Sequence, residues 1–488
     1  MRRLLALAAA LAAAAPVTVA AAFPNTEPLA SDQPYLEQVK AWDFWATMPQ
    51  LYPVKVAVVD SGVDGSNPDL VGRIVAAKSF VGGSPYYDTQ GHGTFVAGEI
   101  AANPTNALGI AGLAFNARLI VAKVVDAEGS VPVNAEVAGI RWAADQGARV
   151  INLSLGGVRD PLDESEDTYS PLEQAAVDYA YSKGAVVVAA VGNGPQSPSE
   201  PWRYASYPAA LPHVIGVSAV RRNGSVPEYS NRDAIYNDIA APGDAMFSTI
   251  PTNLISTAPA CANDPFSDCG PDELKNAIGT SFAAPLVSAA AALLLGQDPS
   301  LRPDQVSWLL ERSADDETAA TGCAQCPPGR DSYTGWGLLD VAGALDLLES
   351  GTPLPAPDRY EPNDDAGPWS HALPPLPRTV GASLDYWDDN VDVYRVPLKK
   401  GQTLFARLSP PGKANVNLSL WAPGTRRVDG FGLKTGPLTR SHRAGAQSRL
   451  AYRATKTGTY YLEAKLLTAA HDPVPYRLAL QRVSRRSP

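Results

Sequence analysis

Short, unbroken apolar runs alternate with longer mixed stretches along the first two-thirds of the chain. The runs Lys55–Val59, Arg118–Val124, Val150–Leu155, Ala185–Val191 and His213–Ala219 are rich in Val, Ile, Leu and Ala. Little polar alternation interrupts them, which is the pattern of strands buried on both faces, as in a parallel sheet. Thr94–Ala102, Val133–Gln146, Ser170–Ser182, Ser281–Leu295 and Arg302–Ser313 read as helices. Alternation of this kind predicts an α/β fold, a parallel sheet with helices on both faces. Leu286 to Leu295 is apolar all round, so its helix is expected to be buried. Pro285 is expected in the first turn of that helix, where its missing N–H does no harm.

The pattern changes after Pro353-Leu354-Pro355-Ala356-Pro357, a stiff linker by composition. Beyond it the apolar residues recur with period two, broken by turns, over Thr379–Leu384, Val391–Val396, Thr403–Leu408, Val416–Leu420, Arg449–Arg453, Thr459–Ala464 and Tyr476–Leu480. Several short strands at such spacing predict a C-terminal β-sandwich.

Composition adds compartment and charge. The chain has 488 residues and is 45% hydrophobic, enough for two or three cored domains. Arg2 and Arg3, the apolar Leu4–Ala15 and the small residues Val19–Ala22 read as a secretory signal. The expected organisation is a signal peptide at 1–22, an α/β domain at 23–352, the linker at 353–357 and a sandwich at 358–488. Residues 354–488 hold 20 Lys+Arg against 11 Asp+Glu, a net of +9, within a chain whose total is −10. Either the two parts attract each other, or the basic part binds an anionic partner. Its basic residues are scattered and no nucleic-acid fold motif is visible, so nucleic acid is not an expected partner. No segment after the signal is expected to cross a membrane. Four cysteines in an exported chain suggest two disulfides; three connectivities are possible, and Cys261–Cys269 with Cys323–Cys326 is favoured because each closes a local loop.

Three short segments carry candidate chemistry. Gly279-Thr280-Ser281-Phe282-Ala283-Ala284-Pro285 presents one Ser at the mouth of the buried helix. Such a hydroxyl is a weak nucleophile unless a base takes its proton. Asp60 ends the apolar run of Val56-Ala57-Val58-Val59, where open α/β sheets place functional groups. His92 lies between two glycines in Gly91-His92-Gly93-Thr94, 32 residues after Asp60. In triad chemistry the Ser attacks, the His takes its proton and the Asp holds the imidazole. The strained elbow Gly-x-Ser-x-Gly of another Ser-hydrolase class is absent, because Ala283 holds its second Gly position.

The chain order Asp60, His92, Ser281 and all three motifs together resemble the subtilisin-like serine proteases, over roughly Pro34 to Leu348. The resemblance implies a secreted endopeptidase working through an acyl-enzyme on protein or peptide substrates, with no cofactor for the chemistry and as a monomer. It implies that Ser154, Leu155 and Gly156 hold the substrate by strand addition. It implies that Asn193, in Val191-Gly192-Asn193-Gly194, donates to the oxyanion beside the backbone N–H of Ser281. Asp69, with the loop Asn103–Gly109, resembles a position that binds structural calcium in many relatives. Residues 23–59 are too short for a folded inhibitory pro-domain. The acidic loop of Asp160, Asp163, Glu164, Glu166 and Asp167 follows the substrate strand and reads first as a solvated surface loop, the alternative being a preference for basic residues upstream of the scissile bond. In the C-terminal part, Arg359–Asp365, Asp389–Tyr394 and Thr457–Tyr461 resemble the bacterial pre-peptidase C-terminal domain, in which Asp388, Asp389 and Asp392 could take calcium. The competing class is a catalytically silent binding protein whose C-terminal β-domain docks to a surface or anionic polymer.

Overall fold

A computed structural model describes residues 27–45, 47–254, 274–361, 363–387, 389–410, 414–428, 436–441, 447–467, 470 and 472–484. The signal-like residues 1–22, Cys261, Cys269 and Asp388 lie outside them. The helices are α1 (Pro34–Gln38), α2 (His92–Ala101), α3 (Val133–Asp145), α4 (Pro171–Ser182), α5 (Thr280–Gln297), α6 (Pro303–Ser313) and α7 (Val341–Glu349). The first strands are β1 (Val54–Asp60), β2 (Ile74–Ser79), β3 (Ala117–Lys123), β4 (Val150–Leu153), β5 (Val186–Ala190), β6 (Val214–Val220) and β7 (Ile239–Pro242). They form one seven-stranded sheet in the order β2-β3-β1-β4-β5-β6-β7, and every neighbouring pair runs parallel.

Both faces of this sheet are covered, as the unbroken apolar runs require. Along β1, Val56 and Val58 enter one core with α2 and α5, while Ala57 and Val59 enter a second with α3 and α4. The five expected strands are present, and two more flank them. β2 is a half-exposed edge whose sequence Ile-Val-Ala-Ala-Lys-Ser is too mixed to stand out, and β7 is four residues ending in Pro. A hairpin of β8 (Met246–Thr249) and β9 (Leu274–Ala277) packs beside α2. Strand β4 stops at Leu153, two residues short of the expected end.

Helix α5 is buried from Phe282 to Gly296, and among the described residues it is the only helix long and apolar enough to cross a membrane. Its burial makes it the centre of the core instead. Pro285 falls in its second turn, not its first. A proline there leaves the carbonyl four residues back without its helical donor. That carbonyl belongs to Ser281, and the Ser154 hydroxyl supplies the missing bond at 2.6 Å. Helix α2 is buried along most of its length, including Glu99, which is 0% exposed and whose two carboxylate oxygens find no partner.

Beyond the linker the remaining strands are β10 (His371–Ala372), β11 (Arg378–Leu384), β12 (Val391–Leu398), β13 (Thr403–Ser409), β14 (Val416–Trp421), β15 (Thr439–Ser441), β16 (Ser448–Arg453), β17 (Gly458–Leu466) and β18 (Val474–Val483). A five-stranded sheet, β10-β12-β17-β14-β15, faces a four-stranded one, β11-β18-β13-β16, across a separate core. All seven period-two segments are strands; the very short β10 and β15 join them. The linker is tied down, since Arg302 and Gln305 donate to the Pro355 carbonyl at 2.8 and 3.0 Å. Trp387 packs on the first core, and the Arg330 guanidinium lies 5.0 Å above the Tyr386 ring. The Cys323 and Cys326 sulfurs are at bonding distance, 1.89 Å.

Burial pushes the Glu99 carboxyl well above its usual range. A raised carboxyl favours the fold below the unfolded value of about 4.3, and this contribution is lost as pH climbs toward the folded value. Glu99→Gln, neutral at every pH, should therefore unfold at higher denaturant than wild type at pH 7 and at nearly the same denaturant at pH 4. Equal midpoints at pH 7 would show that Glu99 is not held neutral.

Candidate active site

Parallel strands deliver their C-terminal ends to one edge of the sheet, and the candidate residues collect there. Asp60 is the last residue of β1 and is 2% exposed. His92 is the first residue of α2, two positions earlier than the apolar pattern suggested. Its Nδ1 lies 2.8 and 2.9 Å from the two Asp60 carboxylate oxygens. Gly93 must be glycine, because a Cβ there would stand 2.1 Å from the Gly62 carbonyl oxygen. Gly91 turns the chain into α2 with φ of 81°. Phe282, next to Ser281, places its ring 5.3 Å from the imidazole, which brings the start of α5 beside His92.

A carboxylate that sequence reasoning missed supports this arrangement. Asp88 is 0% exposed and accepts from the Ser61 hydroxyl, from Gly91 N–H and from both the N–H and hydroxyl of Thr94. Ser61 in turn accepts from Gly93 N–H at 2.9 Å. Asp88 thus ties the end of β1 to the first turn of α2. The signal was an Asp three residues before the Gly-His-Gly motif, hidden because a loop carboxylate ordinarily faces solvent.

Asn193 follows β5 and faces the start of α5. Thr280 donates from both N–H and hydroxyl, at 3.0 and 3.1 Å, to the Asn193 side chain. A backbone N–H can only donate, so the atom it meets is the amide oxygen, and the NH2 remains to donate elsewhere. Ser154 spends its side chain on structure. Ser288 bonds Asn152, Asn152 bonds Ser154, and Ser154 bonds the Ser281 carbonyl. Leu155 packs on the second core and Gly156 is exposed. Among the described residues their main-chain groups have no backbone partner, and the chain is next pinned by the Gly157–Tyr207 bridge. In the acidic loop, Asp160 and Asp167 are used internally, accepting from Leu162 N–H and from Asp160 and Tyr169 N–H.

Asp69 is 3% exposed and accepts from Ile110 N–H and the Asn106 amide at 3.0 and 3.1 Å. A cation there would have to take the place of these N–H donors. Oxygen-rich groupings occur instead in the sandwich. Ligand atoms of Asp358, Glu361 and Asp392, and of Glu361, Asp364 and Asp389, lie within 4.8 Å of one another. Asp392 is 0% exposed with one oxygen unpartnered, which suits a hard cation with carboxylate ligands.

This fold and edge define a class, the subtilisin-like serine endopeptidases. The subtilase family model matches residues 53–337. Subtilisin DY of Bacillus licheniformis is 36% identical over 292 residues, 60% of this chain and 90% of that protein. Thermitase of Thermoactinomyces vulgaris is 36% identical over 282 residues, 57% and 86% of the two chains. The crystal structure of fervidolysin from Fervidobacterium pennivorans, a keratinolytic enzyme related to subtilisin, superposes with a TM-score of 0.55, with 26% identity, covering 88% of this chain and 55% of that one. The chain belongs to the subtilase family.

Burial disfavours a charged His92, yet the charge and hydrogen bond of Asp60, helped by the charge of Asp88, outweigh it and hold the imidazole above its usual value. The stabilisation from the pair is full below about pH 6.5 and is lost as pH rises through the folded value. The neutral imidazole needed by a base grows over that same upper range. An NMR titration of His92 should give a midpoint above about 6.5, and Asp60→Asn should lower it. A wild-type midpoint at or below that value would contradict this balance.

Proposed function

We propose that this chain is an exported endopeptidase whose acyl-enzyme forms on Ser281. Asp60 orients His92 and fixes its Nδ1–H tautomer, leaving Nε2 as the base. The Ser281 hydroxyl attacks the substrate carbonyl while its proton passes to His92 Nε2. The oxyanion takes N–H bonds from the Asn193 side chain and the Ser281 backbone. Collapse breaks the C–N bond, and His92 returns the proton to the departing amine. Water repeats the sequence on the ester and frees Ser281. The observation that carries this reading is the double engagement of His92 Nδ1 by a buried Asp60 at the sheet edge that also holds the α5 N-terminus.

The substrate is an extended peptide pairing with the free main-chain groups of Leu155 and Gly156, and Ser154 holds that segment in place. Residues 1–22 act as the export signal, and the exported chain starts near Phe23. Residues 23–352 form the catalytic unit and 358–488 a sandwich of the pre-peptidase C-terminal kind. Calcium is structural and takes the sandwich carboxylates around Glu361 and Asp392. Cys261–Cys269 and Cys323–Cys326 close two local loops.

A fluorophosphonate probe should label wild type and leave Ser281→Ala unlabelled; a folded wild type that resists labelling would refute an activated Ser281. Asn193→Ala should lower kcat by about 10²–10³ with little change in KM, a magnitude borrowed from a subtilisin. Chelation should lower the Tm of wild type and leave that of Asp392→Asn unchanged. No shift in wild type would exclude the sandwich cation.

A further inference from the structure

One pair of buried acids has no part in the chemistry above. Glu136 stands in the first turn of α3 and Glu173 in the first turn of α4, and they are only 6% and 4% exposed. Their carboxyl groups meet where the two helices pack. Glu136 Oε1 has no hydrogen-bond partner. Among the described residues neither glutamate is in an ion pair. Burial raises both carboxyls, Glu173 to about 7. Two adjacent buried carboxylates cannot both ionise cheaply, so the pair retains a proton.

Topology puts this pair on the working edge. α3 follows β3 and α4 follows β4 in a parallel sheet, so their first turns stand at the C-terminal ends of the strands, as Asp60 and Asn193 do. The α4 end is fastened to the substrate segment. Thr168 bonds the Val158 carbonyl at 3.0 Å and would meet any side chain at Gly157, and Ser170 then caps α4 at Glu173 N–H. The start of α4, which carries Glu173, is therefore held close to the segment that follows Gly156. Val133, one turn before Glu136 on the same helix face, is 41% exposed and offers an apolar rim. Stability alone does not explain the pair, because apolar side chains of similar size would cost less to bury.

We propose that Glu136 and Glu173 form the floor of a subsite for an Arg or Lys side chain at one fixed position upstream of the scissile bond. This rests on the endopeptidase reading. The aliphatic stem covers Val133 and the cationic head meets both carboxylates, whose remaining proton passes to solvent. Arginine is preferred to lysine, because its planar fork can meet two carboxylates at once.

The experiment compares kcat/KM on paired peptides that differ only in Arg, Lys or norleucine at each upstream position. Wild type should favour Arg by roughly 10- to 100-fold at a single position. Glu136→Gln and Glu173→Gln should each lose most of that preference, while norleucine peptides are cleaved and the fluorophosphonate reacts at close to wild-type rates. Replacing the exposed Asp163, Glu164 and Glu166 by neutral residues should leave the preference in place. A wild type indifferent to Arg overturns the subsite without any variant, as does a preference that survives both Gln changes or vanishes with the loop acids. A wild type that neither reacts with the probe nor cleaves any peptide removes the endopeptidase reading and the subsite with it. A labelled, cleaving enzyme without the preference removes the subsite alone.

Discussion

The structure depends on one displaced hydrogen bond. Helix α5 runs through the centre of the core and must also present Ser281 at the sheet edge. Pro285 removes the donor that the Ser281 carbonyl would have used, and the Ser154 hydroxyl takes its place. A defect in the helix thereby becomes a joint between Ser281 and the segment that follows β4. The joint continues inward through Asn152 to Ser288, about two turns further along α5. Three buried polar side chains between α5 and β4 satisfy one another, so the cost of burying them is met by bonds that also fix register. Because β4 ends at Leu153, the next residues leave the sheet with their main-chain groups unspent, which is what an added strand requires.

Electrostatics at the same edge works against solvation. Asp60 and Asp88 are both nearly dry, and each survives as an acceptor only because donors converge on it. Asp88 spends its lone pairs on the α2 start, while Asp60 spends its own on Ser61 N–H and the imidazole. The division matters, since a single carboxylate could not both anchor the helix and orient the ring. Glu99, Glu136 and Glu173 show the opposite case, in which burial outruns the available donors and the proton stays. The pair of Glu136 and Glu173 differs from Glu99 in place: Glu99 lies in the last turns of the buried α2, whereas the pair stands in the first turns of α3 and α4.

Much of this was legible in the residues, for physical reasons that also mark the gaps. Central strands of a parallel sheet have no solvent face, so β1, β3, β4, β5 and β6 announce themselves as apolar runs. The edge strand β2 and the short β7 do not, because edges tolerate Lys and Pro. The order of Asp60, His92 and Ser281 was readable since each sits in a glycine- or small-residue setting that leaves a local mark. The Phe282 contact and the Ser154 hydroxyl bond were not, because their partners are distant in sequence: Ser154 and Ser281 are 127 residues apart; Asp88 was hidden because a loop carboxylate ordinarily faces solvent. The misplaced turn of Pro285 has the same origin. A helix start is uncertain by a few residues from sequence, and here that margin separates a harmless proline from one that frees a carbonyl. The meeting of Glu136 with Glu173 follows from helix packing and carries no local signature.

Charge shows why position outweighs totals. The C-terminal part is basic and the rest acidic, which suggests mutual attraction, but the seam is built the other way round. A cavity of about 420 Å³ there sets Glu361, Asp364, Asp385 and Asp389 of the sandwich opposite His213 and Arg302 of the catalytic part. Arg330 meets the sandwich through the Tyr386 ring rather than through a carboxylate. The sandwich thus turns an acidic end inward. Its positive excess lies elsewhere, in part on the outer face of the four-stranded sheet, where period two brings Arg407, Arg449, Arg453 and Arg477 to solvent between Phe405, Ala451 and Ala479. Charges held apart on a solvated face contribute little to docking across a seam behind them. Much of the segment's positive excess thus stands away from the seam, where the tethered linker, the Trp387 contact and the bond from Arg427 to the Tyr169 hydroxyl join the two parts.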